Sequence, residues 1–187
     1  MNILAIADRP PRRSIKETLA EQKIDLIVTL GDLEFSEIRE LRDVTNIPKL
    51  GVYGNHCSGM YFDELGIKNM HLQTFEFGGL TFGGFEGCVR YKESKYAPMY
   101  TQEEASALLA NFPHVDVMLV HCPPYGINDD ITDPAHTGYK GLLEYLATQE
   151  PKYLFHGHTY PSYDTLVKKW QNTTIEYVYQ ERIIVLE

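Results

Sequence analysis

Short apolar runs alternate with segments of helical spacing along the first third of the chain. Residues 2–6, 26–30 and 49–52 have the length and composition of buried strands. Between these strands, helices are predicted to begin at Ser14, which has capping-box spacing to Glu17, and to span residues 36–42 with a serine cap. Alternating strands and helices predict βαβ units and a largely parallel sheet.

The second half of the chain predicts a different order of elements. A hairpin is expected where two apolar runs flank Gly78-Gly79, and a polar, tyrosine-rich loop follows it. A helix is predicted to begin at Thr101, with Glu104 in capping-box position. The remaining predictions are strands at 115–120 and 153–155, a helix at 138–148, and a closing pair of strands at 173–178 and 182–186. Because no repeat or linker divides these elements, one domain over residues 1–187 is expected.

Composition narrows the possible partners and the compartment. The formal net charge of −9 argues against general duplex nucleic-acid binding, which needs a basic face. A small phosphorylated substrate remains compatible, since a local cation overcomes a negative average. Three cysteines favour a reducing cytoplasm over a disulfide scaffold. No apolar stretch is long enough to span a membrane, and the first strand leaves no room for a signal peptide. We therefore expect a cytoplasmic protein without membrane contact, whose oligomeric state the sequence leaves open.

Side chains that bind metals or transfer protons follow the predicted strands. They are Asp8, Asp32, Asn55, His56, His121 and His158. Ligands of parallel sheets bind beyond the carboxyl ends of the strands, so these side chains are expected to converge. A mixture of carboxylate, amide and imidazole suits manganese, iron or zinc better than a closed thiolate zinc site does. The pattern therefore predicts a metal-centred phosphate site.

The ordered series Asp8, Gly31-Asp32, Gly54-Asn55-His56, His121 and Gly157-His158 resembles the calcineurin-like metallophosphoesterase superfamily. The resemblance implies an α/β fold: a four-layer αββα sandwich of two mainly parallel or mixed sheets flanked by helices. It also implies hydrolysis of a small phosphomonoester or phosphodiester with one or two divalent ions, manganese first and iron, zinc or nickel as alternatives. By the same resemblance, Asp32 bridges two metals, Asp8 belongs to the first metal site, and His56 protonates the leaving oxygen. Asn55, His121 and His158 complete the second site.

Two departures from the family pattern fall on the same metal site. The family's Asp-x-His reads Asp8-Arg9-Pro10 here, and its Gly-His-x-His ends in Tyr160. Three interpretations stay open. Tyr160 supplies a phenolate, as tyrosine does in the related purple acid phosphatases; or the first ion binds weakly with waters as ligands; or one metal remains and Arg9 takes the place of the other. An arginine would keep positive charge near phosphate without generating hydroxide.

Other residues are expected to act around this site. Arg90, in the tyrosine-rich loop, and His136, in an Ala-His-x-Gly segment similar to that of related small phosphoesterases, are candidate substrate contacts. His156 is expected to pack or to support the ligands. The alternative function is a catalytically weak or inactive binding module of the same fold, as in the retromer scaffold. The two missing imidazoles favour that alternative, whereas the retained His56 favours an enzyme.

Overall fold

The computed structural model describes residues 1–186. Five α-helices accompany the strands in this range: α1 (Ile15–Glu21), α2 (Phe35–Ile38), α3 (Phe62–Leu65), α4 (Gln102–Leu109) and α5 (Lys140–Gln149), with a 3-10 helix at Arg39–Asp43. The strands are β1 (Asn2–Ala7), β2 (Leu26–Thr29), β3 (Lys49–Gly51), β4 (Lys68–Asn69), β5 (Thr74–Phe77), β6 (Leu80–Phe85), β7 (Cys88–Val89), β8 (Met99–Tyr100), β9 (Val117–Val120), β10 (Tyr153–His156), β11 (Lys169–Trp170), β12 (Thr173–Tyr177) and β13 (Gln180–Val185). None of these helices has both the length and the apolarity needed to cross a membrane.

Two large mixed sheets form the centre of the fold. The first has five strands in the order β13-β1-β2-β3-β4, and only β13 runs antiparallel to its neighbour. The second has six strands in the order β11-β12-β10-β9-β6-β5, with parallel inner strands and antiparallel edges. A small parallel pair, β7 and β8, lies in the predicted tyrosine-rich loop. The parallel strands direct their carboxyl ends to one edge of each sheet, where the candidate ligands follow.

Side-chain alternation along the strands explains why the sheets are layered. In β1, Ile3 and Ala5 pack between the two sheets, whereas Leu4 and Ile6 pack under α1 and α2 on the other face. In β9, Val117 enters the core between the sheets, and Met118 enters the one under α4 and α5. Successive strand residues point to opposite faces, so both sheets are covered on both sides. This arrangement confirms the four-layer αββα fold class.

The helix start at Ser14 was right, but its predicted capping bond is missing, and two other local predictions were wrong. Ser14 is the N-cap residue of α1, yet the Lys16 amide donates to Glu40 Oε2 at 3.1 Å in place of the Ser14 hydroxyl, which itself donates to the same oxygen. At α2 the cap is Glu34, in a capping box with Glu37, so Ser36 is already inside the helix. The closing strands are not a pair: β12 lies beside β10 in one sheet and β13 beside β1 in the other. The last two strands therefore connect the sheets at the edge where the candidate ligands lie.

The Thr101 cap of α4 formed as the sequence predicted, and it supplies a stability test. Its hydroxyl accepts a hydrogen bond from the Glu104 amide at 3.1 Å, and Glu104 Oε2 accepts one from the Thr101 amide at 2.8 Å. Thr101→Ala is expected to reduce the free energy of unfolding by about 1 kcal/mol, measured by urea denaturation. Thr101→Ser keeps the acceptor and should retain most of that stability. An unchanged midpoint for Thr101→Ala would contradict the capping role.

Candidate metal centre

The candidate ligands leave their strands through unusual backbone turns. Asp8, Asp32 and His158 have φ values of 63°, 52° and 69°, in the left-handed region that non-glycine residues seldom adopt. Each follows a parallel strand, and the Asp8 amide donates to the Gly31 carbonyl at 3.1 Å. Strained backbone of this kind costs about 1–3 kcal/mol per residue and is concentrated at functional sites. The turns therefore fit a site whose side chains must be aimed at one point.

Two glycines let the ligand-bearing turns come close together. A Cβ at Gly31 would lie 2.5 Å from the Gly54 amide nitrogen and 2.6 Å from His121 Nδ1. A Cβ at Gly54 would overlap Asp32 Oδ1 and lie 2.7 Å from His121 Cε1. Gly31 also has φ +92°, which suits glycine. Glycine at both positions thus sets the approach of Asp32 and His121.

His121 is a fully buried imidazole with one nitrogen committed to the backbone. Its Nδ1 lies 2.7 Å from the Leu30 carbonyl oxygen, which only accepts, so Nδ1 carries the proton and donates. Its Nε2 then faces two oxygens, Asn55 Oδ1 at 3.1 Å and Asp32 Oδ1 at 3.4 Å. Fixing the tautomer through the second nitrogen is how proteins prepare metal-binding histidines.

His158 is oriented in the same way from the opposite side. Its Nε2 lies 2.8 Å from the Ala135 carbonyl oxygen, so Nε2 donates and Nδ1 keeps a free lone pair. The His121 and His158 rings have centroids 4.6 Å apart. One donor atom from each of Asp32, His121 and His158 lies within 4.8 Å of the other two. The structure therefore brings together the four residues assigned to the second metal site, including Asn55.

The donor set fits a divalent cation. The carboxylates of Asp8 and Asp32 and the amide oxygen of Asn55 surround His121. Burial opposes protonation of the imidazole, yet the charges of Asp32 and then Asp8 raise the His121 pKa to about 9. Burial by itself raises the Asp32 pKa, but the charge and hydrogen bond of His121 hold it well below its usual range. The buried Asn55 Nδ2 has no partner within residues 1–186. The cluster thus favours positive charge at the point where oxygens and imidazole nitrogens meet, which is the requirement of a metal site.

Asp8 lies beside this cluster and holds its backbone. Both carboxylate oxygens accept the His158 amide hydrogen, with N–O distances of 2.9 and 3.0 Å, and Oδ1 lies 4.0 Å from His121 Nδ1. Burial raises the Asp8 pKa to about 7, partly offset by His121. The carboxylate therefore supports the His158 turn from behind, and its assignment as a first-site ligand stays a prediction.

His56 lies at the exposed rim. Its imidazole is solvent-accessible, while its backbone amide donates to Asp32 Oδ1 at 2.7 Å. This bond ties the His56 turn to the ligand cluster without using the side chain. A bound phosphate could therefore meet both the cluster and the imidazole.

The two replaced first-site positions, Pro10 and Tyr160, lie at the surface. Pro10 is exposed, and the Tyr160 ring, 59% exposed, makes edge contacts with His136 and Tyr179. Burial and the Asp8 charge raise the Tyr160 pKa, which favours the neutral phenol. The pKa of Arg9 is raised by its hydrogen bond to Tyr179 and, to a smaller extent, by the neighbouring Tyr160 side chain.

The two candidate substrate contacts, His136 and Arg90, lie in different surroundings near the metal centre. The His136 ring lies 5.3 Å from His158, and its Nδ1 lies 2.6 Å from Asp133 Oδ2. Arg90 donates to Glu104 Oε2 and the Met99 carbonyl, so its guanidinium is engaged in the loop before α4. The sequence interpretation missed Tyr179, because an aromatic residue after a strand gives no local signal of a site.

His156 has a packing role, in agreement with the sequence interpretation. It is fully buried, and its Nε2 lies 3.0 Å from Asn128 Nδ2. Asn128 also bonds to both backbone polar groups of Val167. Burial lowers the His156 pKa to about 4, so the ring is neutral. Asn128, which the sequence interpretation missed, thus secures the loop behind the metal centre.

Comparison with known proteins agrees with this fold. A family model described as the calcineurin-like phosphoesterase superfamily domain matches residues 1–172. Among solved structures, one crystal structure has a TM-score of 0.64 at 17% identity, covering 94% of this chain and 89% of that chain. The Thermus thermophilus protein TT1561 has a TM-score of 0.58 at 16% identity, covering 83% of this chain and 80% of its own.

A hypothetical protein from Thermus thermophilus is similar at a TM-score of 0.53 and 16% identity, covering 95% of this chain and 75% of its own. At these identities the solved structures support the fold alone. None of the curated proteins compared matches the chain. The family match spans nearly the whole sequence, so the chain belongs to the calcineurin-like phosphoesterase superfamily, whose members are metal-dependent phosphoesterases.

Proposed function

We propose that this protein is a metal-dependent phosphohydrolase that acts on a small phosphomonoester or phosphodiester. The observation that carries the proposal is the convergence of Asp32, Asn55, His121 and His158, whose imidazoles are each oriented by a backbone carbonyl. Family membership supports phosphate-ester chemistry at this cluster. A reducing compartment such as the cytoplasm fits the free thiols of Cys57, Cys88 and Cys122.

The chain's own groups account for binding and proton transfer. Asp32, Asn55, His121 and His158 would hold the cation. When bound, a divalent ion supplies Lewis-acid polarisation of the phosphoryl group and acidification of water. The water oxygen would form a bond to phosphorus and release a proton to solvent, the ester P–O bond would break, and His56 would give a proton to the leaving oxygen and regain one from solvent. The bond from the His56 amide to Asp32 keeps that imidazole beside the reacting phosphate.

The activity test uses two chromogenic esters. Bis-p-nitrophenyl phosphate and p-nitrophenyl phosphate are offered to the protein with manganese, nickel or zinc. Release of p-nitrophenol above the metal-only rate supports the proposal. No release with any of the three ions, from protein that is folded and holds metal, would refute it.

We further propose that one ion, manganese first, is held tightly. Pro10 and Tyr160 stand at the two first-site positions where the family has histidines. The Tyr160 ring packs against His136 and Tyr179. The Asp8 carboxylate accepts a hydrogen bond from the His158 backbone amide. Arg9 keeps a positive charge on that side. Native mass spectrometry of manganese-loaded protein is expected to give one ion per chain, with an isolated six-line manganese EPR spectrum.

A paired substitution provides the control for the ion count. Pro10→His with Tyr160→His restores the imidazoles of the family pattern and is expected to raise the count to two. Two tightly held ions in the unmodified protein, with an exchange-coupled EPR spectrum, would contradict the one-ion proposal. That outcome would leave the hydrolase proposal intact.

A further inference from the structure

A groove rich in aromatic and cationic side chains lies beside the metal centre. It encloses a cavity of about 510 Å³, and we call it the aromatic groove; its defining side chains are Arg12, Tyr163, Lys168, Tyr177, Tyr179 and Arg182. Nothing in the site described above uses it. Glu176 and Glu181 also line the cavity, and Glu176 is paired with Arg182 at 3.0 Å. The remaining cations, Arg12 and Lys168, have no salt bridge within residues 1–186.

Sheet register places this groove at the same edge as the ligands. β12 runs parallel to β10 with Tyr177 opposite His156, so Tyr177 and Tyr179 emerge level with His158. β13 begins at that edge, with Gln180 opposite Ala7, the residue before Asp8. Arg12, which follows β1, donates from Nε to Gln180 Oε1 at 2.7 Å. The groove therefore opens on the side of the site where the family pattern has its first metal.

A series of ring contacts connects the groove with the metal centre. Tyr179 contacts Tyr160 at a centroid distance of 5.8 Å, Tyr160 contacts His136 at 5.9 Å, and His136 lies 5.3 Å from His158. His136 and Tyr160 also line a second cavity of about 410 Å³. Tyr160 and Arg9 thus both neighbour Tyr179, which lines the groove, and they lie at or next to the positions where the family motifs have imidazoles.

We propose that the aromatic groove binds a planar aromatic ring carried by an ester group of the phosphodiester substrate. The inference rests on the proposed phosphohydrolase function and names its substrate class. Tyr163 is 80% exposed and Tyr179 is partly exposed, whereas Tyr177 is buried with its ring beside His156. Exposed tyrosine faces stack on planar rings, and arginines beside them add cation–π attraction and hold negative charge. A protein with a net charge of −9 that gathers cations at this edge matches an anionic, ring-bearing ligand.

The test compares two unactivated diesters by isothermal titration calorimetry on manganese-loaded protein. Diphenyl phosphate is expected to bind about 10-fold more tightly than dimethyl phosphate, since stacking on an aromatic side chain contributes about 1–3 kcal/mol per ring. Tyr179→Leu is expected to bring the ratio of the two dissociation constants close to 1. Tyr163→Leu, at a groove position that is 80% exposed, provides a second variant if Tyr179→Leu does not fold.

A tyrosine outside the groove supplies the matched control. Tyr96 is 96% exposed in the loop between β7 and β8, and Tyr96→Leu should leave the ratio of dissociation constants as in the unmodified protein. Equal binding of the two diesters, or a preference for diphenyl phosphate that survives both groove variants, overturns the proposal. The readout is independent of turnover: a groove-dependent preference without cleavage of the chromogenic esters would sink the hydrolase function and leave the groove in place.

Discussion

Asp32→Asn is expected to abolish measurable phosphatase activity and to weaken manganese binding by at least about 100-fold. The substitution keeps the shape of the side chain but removes the charge that faces His121 Nε2 at 3.4 Å. Loss of a partner that merely supports a ligand costs about 10–100-fold in metal affinity or activity, and loss of a charged ligand should cost more. Calorimetric titration with manganese and hydrolysis of bis-p-nitrophenyl phosphate measure the two effects.

Asp116→Asn is the matched control for this prediction. Asp116 precedes β9 at the opposite end from His121, where it accepts the Thr81 amide and pairs with Lys152 at 2.9 Å. Its removal should lower stability slightly and leave manganese affinity unchanged. If Asp32→Asn is folded by circular dichroism and binds manganese as tightly as the unmodified protein, the ion is held elsewhere and the assigned ligand set is wrong.

His56→Ala is expected to lower kcat for p-nitrophenyl esters by about 100-fold or more, in line with the 10²–10⁴-fold contribution of general acid–base groups. The manganese dissociation constant should remain within about twofold, because His56 touches the ligand cluster through its backbone amide and not through its ring. Steady-state kinetics and calorimetric titration separate the two quantities.

An exposed histidine away from the site provides the comparison for His56→Ala. His114 lies before β9, with its Nδ1 2.7 Å from the Gln149 carbonyl, and His114→Ala should retain full activity. Unchanged kcat in His56→Ala would remove His56 from the mechanism. The binding-module alternative predicts intact metal binding with little or no turnover in the unmodified protein, so a large His56-dependent kcat discriminates between the two functional classes.

The distribution of exposed apolar side chains does not favour the binding-module alternative. Met60 and Tyr96 are in loops, Leu108 is on α4, and Ile183 and Val185 are on β13. Ile183 and Val185 share one face of β13, but the other side chains lie on separate elements, whereas partner surfaces are expected to be large and contiguous. The polar cluster under His56 is the more distinctive surface feature.

Strand positions and the polar residues that follow the strands were predictable because both depend on local sequence. Each candidate ligand follows an apolar run with a turn-forming residue beside it, as with Gly31 before Asp32 and Gly54 before Asn55. The capping box at Thr101 is equally local. The capping bonds of α1 and α2 were less predictable, because the Glu40 carboxylate from a later helix accepts the Lys16 amide, and Glu34, two residues before Ser36, forms the capping box of α2.

Long-range contacts decided what the sequence pattern left open. The Asp8 carboxylate bonds to an amide 150 residues away, and no sequence spacing reveals that its oxygens face the His158 backbone. The separation of β12 and β13 into different sheets was hidden for a similar reason. Two neighbouring apolar runs look alike whether they pair with each other or with distant strands.

By itself, the sequence determined the alternation of strands and helices and the set of side chains available to a cation, because apolar runs and strand-ending turns act over a few residues, whereas the layered fold class followed from the family resemblance. Only the tertiary structure decided that His121 and His158 are oriented by carbonyls of Leu30 and Ala135, and that Tyr160 and Tyr179 join the metal edge to a groove. Those contacts depend on which strands become neighbours, and that choice is set by packing of the whole core.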